Sequence, residues 1–139
     1  MGMYTELHFN AELKRDTPQT VLDVLAYMVG ETGTPPDPLP DHRLFACSRW
    51  AGMLRCSSAY FPLSVASSLN FDQYSKGYSL SVRSNFKNYN GKVDAFLDWI
   101  MPWVDAGTEC LGYFRYEEND HPTLIYRVSP ASYPPKGDS

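Results

Sequence analysis

Apolar and polar residues alternate strictly at the start of the chain. Thr5, Leu7, Phe9, Ala11 and Leu13 interleave with Glu6, His8, Asn10 and Glu12. A period of two places one set on each side of a pleat, so the pattern predicts a strand over 5–13 with one buried face. Lys14-Arg15-Asp16 then turns the chain. The period lengthens after Thr17. Val21, Leu22, Val24, Leu25, Met28 and Val29 form one side of a helix, with Thr17 as its cap, Pro18 at the first helical position and Gly30 as its stop. Alternation returns over Ser67–Tyr74, with Leu69 and Phe71 inward, and again over Tyr78–Phe86, where Tyr78, Leu80, Val82 and Phe86 oppose Ser79, Ser81, Arg83 and Asn85. Ser75-Lys76-Gly77 joins these two as a hairpin. A second helix is predicted from Lys92 to Val104 on the spacing of Val93, Phe96, Leu97, Ile100 and Val104, with Trp99 and Trp103 stacked on a neighbouring stripe and Pro102 kinking or shortening the last turn. Thr108–Tyr116 and Thr123–Val128 close the pattern as a hairpin around residues 117–122.

Two stretches interrupt this regularity. Residues 31–41 hold four prolines and a glycine, which rule out helix or strand. Residues 42–63 mix Leu44, Phe45, Trp50, Met53 and Leu54 without a clean period and suggest a short helix or irregular packed segment, with a further strand beginning between Cys56 and Phe61 as one option. The fold expected is α+β, in the order β-α-β-β-α-β-β. It is an antiparallel sheet of four to five strands with two helices on one face, a split βαβ or ferredoxin-like arrangement carrying an irregular insertion after the first helix. Residues 1–129 form one domain, and the proline-bearing tail over 130–139 is expected to be extended or disordered.

Composition adds limits. A chain of 139 residues with 43% hydrophobic and 20% charged residues suits one globular domain. Its ten tyrosines, seven phenylalanines and three tryptophans suit either a ring-rich core or a half-wet interface. A formal net charge of -4 argues against broad nucleic-acid binding, which needs a basic footprint. No apolar run reaches a membrane span, and Met1-Gly2-Met3-Tyr4 lacks the pattern of a signal peptide. Met1-Gly2 reads as a cloning remnant, with Met3 as the natural start. A cytoplasmic protein with reduced thiols is expected, although a Cys47–Cys56 bridge is open. No spacing of Cys47, Cys56 and Cys110 suggests a zinc site, and no cofactor is expected.

Two surfaces are candidates for function. The first is the sheet face turned away from the helices, where His8, Asn10, Arg83, Asn85, Tyr113 and Arg115 could stack a base and hold a phosphate, with Phe114 and Tyr116 as the alternative to the last two and Tyr126 or Arg127 from the final strand. The bland alternative is a solvated or dimer-forming face. The second is the insertion, where Arg43, Arg49 and Arg55 accompany Phe45, Trp50 and Tyr60, residue types that anchor protein interfaces. Its alternative is an arm that completes the core. Catalytic readings are weaker. His121-Pro122-Thr123 fits half of a two-histidine phosphoesterase, but His8-Phe9-Asn10 lacks the matching hydroxyl residue. His42 lies near Cys47 without a third, orienting group. No residue is therefore assigned a catalytic role.

Tyr4-Thr5-Glu6-Leu7, Ala11-Glu12-Leu13-Lys14 with Asp16-Thr17-Pro18, Phe86-Lys87-Asn88-Tyr89 and Phe96-Leu97-Asp98-Trp99-Ile100 resemble a group of small uncharacterised proteins encoded by bacteriophages and prophages. The resemblance implies a source rather than a chemistry. By analogy it implies a non-enzymatic accessory protein that binds and inhibits or sequesters a host component, as an anti-CRISPR-like inhibitor or a signalling-nucleotide sponge does. The partners expected are then a host protein complex or a small nucleotide, with a homo-oligomer among the expected states. A small nucleotide or RNA phosphoesterase and a virion-assembly accessory protein are the alternatives.

Overall fold

A computed structural model describes residues 4–58, 65–74, 76–88, 91–105 and 109–126. Five strands and two helices follow the predicted order: β1 (Tyr4–Glu12), α1 (Gln19–Met28), β2 (Ser68–Asp72), β3 (Gly77–Lys87), α2 (Lys92–Ile100), β4 (Cys110–Tyr116) and β5 (Thr123–Tyr126). The sheet is antiparallel with strand order β2-β3-β1-β4-β5. The first strand is therefore central. The connection through α1 carries the chain past β3, and the connection through α2 carries it past β1. The tail over 130–139, and the end of the last predicted strand, lie outside the described residues.

One core holds the layers together. Leu7, Phe9, Leu80 and Val82 from the sheet meet Val24, Leu25 and Met28 of α1 and Val93, Phe96 and Ile100 of α2 in a single buried cluster. Phe96 meets Phe9 edge-to-face, with ring centroids 5.9 Å apart. The inward residues are those that the alternation picked out, because a pleat leaves no choice of face once one face is covered.

Local details differ from the sequence expectation. Thr17 does not cap α1: its hydroxyl donates to the Lys14 carbonyl and closes the preceding turn, and Pro18 occupies the cap position. The second helix stops at Ile100 and tightens into a 3-10 turn over Met101–Trp103, since Pro102 has no N–H to continue the ladder. Trp99 packs on Phe45 and Phe96, at 5.5 and 6.3 Å between centroids, rather than on Trp103. Phe71 stays half-exposed against Tyr78, because β2 is an edge strand that the helices only partly cover. None of the three cysteines is in a disulfide, so no Cys47–Cys56 bridge forms.

The insertion completes the core. Leu44, Cys47, Met53 and Leu54 are buried, and Phe45 and Trp50 pack against the cluster, their rings 4.8 Å apart. Residues 43–46 and 50–52 form short 3-10 turns, and Cys56–Ser58 is not strand. Arg55 donates from Nε to the Met28 carbonyl at 3.0 Å and so satisfies the end of α1. Ser84 on β3 donates its buried hydroxyl to the Met53 carbonyl at 2.8 Å. Removing that hydroxyl leaves a buried carbonyl without its donor. Ser84→Ala should cost about 1–2 kcal/mol in urea unfolding, with an unchanged denaturant slope.

Candidate functional site

Register decides which side chains share the outer face of the sheet. On β1 and β3, Glu6 lies opposite Asn85, His8 opposite Arg83 and Asn10 opposite Ser81. On β4, Arg115 lies opposite Glu6 and Tyr113 opposite His8. Directly opposed residues point the same way. All six residues expected on this face, His8, Asn10, Arg83, Asn85, Tyr113 and Arg115, are therefore on it. Tyr113 and Arg115, rather than Phe114 and Tyr116, are the β4 contribution. On β5, Leu124 lies opposite Tyr113, and Tyr126 follows it on the same side. Arg127 lies outside the described residues.

The face is not uniformly open, contrary to the expectation of a solvated polar array. Glu6 is only 5% exposed. Arg115 donates from Nε to its Oε2 at 2.7 Å, and His8 donates from Nε2 to its Oε1 at 3.0 Å. A buried carboxylate is tolerated because both oxygens are satisfied by charge-assisted or polar donors. The same geometry engages two of the donors expected to hold a ligand, His8 and Arg115. Arg115 also donates from Nη1 to the Asn119 carbonyl at 2.9 Å. The His8 and Tyr113 rings stack at 4.5 Å with 16° between planes. Burial raises the Tyr113 pKa above the ordinary tyrosine value; the Glu6 carboxylate pushes the same way and the Arg115 charge opposes. Asn85, expected as a ligand contact, is 2% exposed, and its Oδ1 has no hydrogen-bond partner among the described residues.

Toward the other end the face opens. Ser81 donates its hydroxyl to Asn10 Oδ1 at 2.6 Å, and Arg83 and Asn10 are exposed. An open trough of about 550 Å³ runs past Asn10, Glu12, Ser79, Ser81, Glu109 and Cys110. Beside the stacked His8–Tyr113 pair, Leu124 and Tyr126 stand 53% and 46% exposed, large side chains left bare on β5.

The insertion residues do not converge on one surface. Phe45 and Trp50 serve the core, Arg55 serves α1, and Arg43 lies 3.9 Å from Asp98. Arg49 takes a left-handed backbone conformation, φ 60°, and lines a separate cavity. Tyr60 lies outside the described residues. His42 binds Asp98 through Nε2 and accepts the Leu44 N–H at Nδ1, so it positions the insertion rather than Cys47. His121 is exposed in the β4–β5 connection, and no hydrogen bond or ring contact links it to His8.

Among the described residues no group of three or more His, Cys, Asp or Glu could hold a metal ion, and no helix is long and apolar enough to cross a membrane. Comparison with protein-family models, curated proteins and solved structures finds no match to this chain.

Proposed function

We propose that the chain is a non-enzymatic accessory protein of phage or prophage origin, which binds a host protein in the host cytoplasm and inhibits it as an anti-defence protein does. The observation that carries the binding part is the strip formed by Tyr113, Leu124 and Tyr126. It places half-exposed apolar and aromatic side chains on a sheet face bounded by Asn10 and Arg83. Aromatic anchors with a polar rim are the anatomy of a protein interface. The Arg115 guanidinium is already committed to Glu6 and Asn119, which favours a protein partner over a nucleotide on this face. The origin and the class of target rest on the sequence resemblance and on analogy.

Expression in bacterial hosts that carry defined defence systems tests the reading. Wild-type protein should raise phage plating efficiency in at least one such host and co-purify with a component of that system. Leu124→Asp with Tyr126→Asp should abolish both while leaving the unfolding midpoint nearly unchanged, since these are surface positions. Unaltered plating across the panel, together with an empty pull-down, would sink the proposal. A thermal shift with nucleotides that disappears in Arg83→Ala would replace the protein partner with a signalling nucleotide.

A further inference from the structure

A second cavity lies at the Tyr4–Lys87 end of β1 and β3, the end remote from Asn10 and Ser81, where the start of α2 meets the insertion. It encloses about 130 Å³ between Arg49, Lys87, Lys92, Tyr4, Met53 and Phe86. Three cations line it, and no carboxylate does among the described residues. Lys92 is the first residue of α2 and is only 3% exposed. Its Nζ sits 5.6 Å from the centre of the Phe86 ring and makes no hydrogen bond or ion pair with any described residue.

This arrangement is costly as it stands. Lys92 is buried along its stem, while its ammonium faces the cavity with a ring, and no counter-charge among the described residues, as its near partner. The positive end of the helix dipole works against a lysine at this position and in favour of an anion. Burial lowers the Lys92 pKa below the ordinary lysine value; Cys56 and Cys47 oppose that shift, and the positive charge of Arg49 adds to it. Arg49 and Lys92 therefore act on each other as like charges across the cavity. A small anion seated between them would offset that repulsion and supply the missing counter-charge.

The geometry points to a binding site for a tetrahedral oxyanion of the phosphate class, either inorganic phosphate or the head of a phosphomonoester, held by Lys92 and Arg49 at the N-terminus of α2. A guanidinium fork suits phosphate oxygens. The volume admits the head group, while Tyr4, Met53 and Phe86 offer an apolar wall to whatever the head group carries. This site is independent of the β5 strip and stands or falls without it.

The test is calorimetric titration of the full chain with inorganic phosphate and with phenyl phosphate, at ionic strength held constant with chloride. Wild-type protein should show saturable binding and a melting temperature that climbs with phosphate but not with chloride. Lys92→Met and Arg49→Gly should each weaken binding about ten- to a hundredfold, the worth of one charge-assisted hydrogen bond. Neither change threatens folding. Methionine relieves a buried charge and should raise the melting temperature in phosphate-free buffer. Glycine is at ease at φ 60°. Tighter binding of phenyl phosphate would identify an ester as the natural form, and equal binding would identify the free anion. Absence of saturable binding, or equal affinity in wild type and both variants, would overturn the site.

Discussion

Gly112→Ala is expected to cost about 3–5 kcal/mol of folding stability, a large share of what a domain of this size holds. Gly112 lies on β4 between Phe9 of β1 and Ile125 of β5. Its φ is +148°, and a Cβ placed there would overlap the His8 carbonyl oxygen and lie 2.7 Å from the carbonyl carbon. The obstacles are backbone atoms of the central strand and cannot rotate aside. The pairing of β4 with β5 also slips by one residue between Cys110 and Gly112, so this glycine sits where the strand absorbs an extra residue. Register on β4 places Tyr113 and Arg115, so the substitution should disturb the outer face as well. Gly91 is the control: its φ is 63°, but nothing lies within 4 Å of its missing Cβ. Gly91→Ala should cost about 1 kcal/mol through backbone conformation alone. Urea unfolding followed by tryptophan fluorescence separates the two, and similar midpoints for both variants would show that close approach at Gly112 is not what the sheet depends on.

Glu6→Leu should cost about 3 kcal/mol, because it strands the Arg115 guanidinium and the His8 donor beside a newly apolar side chain. The carboxylate is buried and takes both donors at 3.0 Å or less. The informative measurement is the double-mutant cycle. Glu6→Leu with Arg115→Met removes both charges and should recover most of the loss, giving a coupling of about 2–3 kcal/mol. A coupling near zero would mean that Glu6 acts only through its packing. The same cycle reports on the proposed strip, since His8 orients the Tyr113 ring that borders it.

Strand and helix assignments were legible wherever a single face is covered. β1 and β3 alternate cleanly because their inner residues meet the helices and their outer residues do not. At the end of α2 the sequence marked the disturbance, because Pro102 acts through its own missing N–H, but the helix was expected to reach Val104 and stops at Ile100. Other features were illegible because the partner lies far along the chain. Thr17 looks like a cap and instead binds Lys14. Phe71 alternates inward like Leu69, but an edge position leaves it bare. The insertion shows no period because its residues fill gaps between elements rather than repeat along one.

The candidate site divides the same way. Periodicity alone put His8, Asn10, Arg83, Asn85, Tyr113 and Arg115 on one face, since alternation fixes the side of a pleat. Availability is a different property. Glu6 gathers His8 from its own strand and Arg115 from 109 positions away, and only register across β1 and β4 brings these groups within bonding distance. That pairing drew His8 and Arg115 into a half-buried structural network around Glu6 and left Leu124 and Tyr126 as the exposed large apolar side chains beside it. Lys92 left a trace in the sequence: a lysine opening a helix behind a glycine opposes the helix dipole, and the acidic residue of that turn, Asp94, is exposed whereas Lys92 is buried. That Arg49, Lys87, Tyr4 and Phe86 converge around it was decided by the packing of the insertion against β3 and α2, a matter of three-dimensional proximity that local residue pattern does not encode.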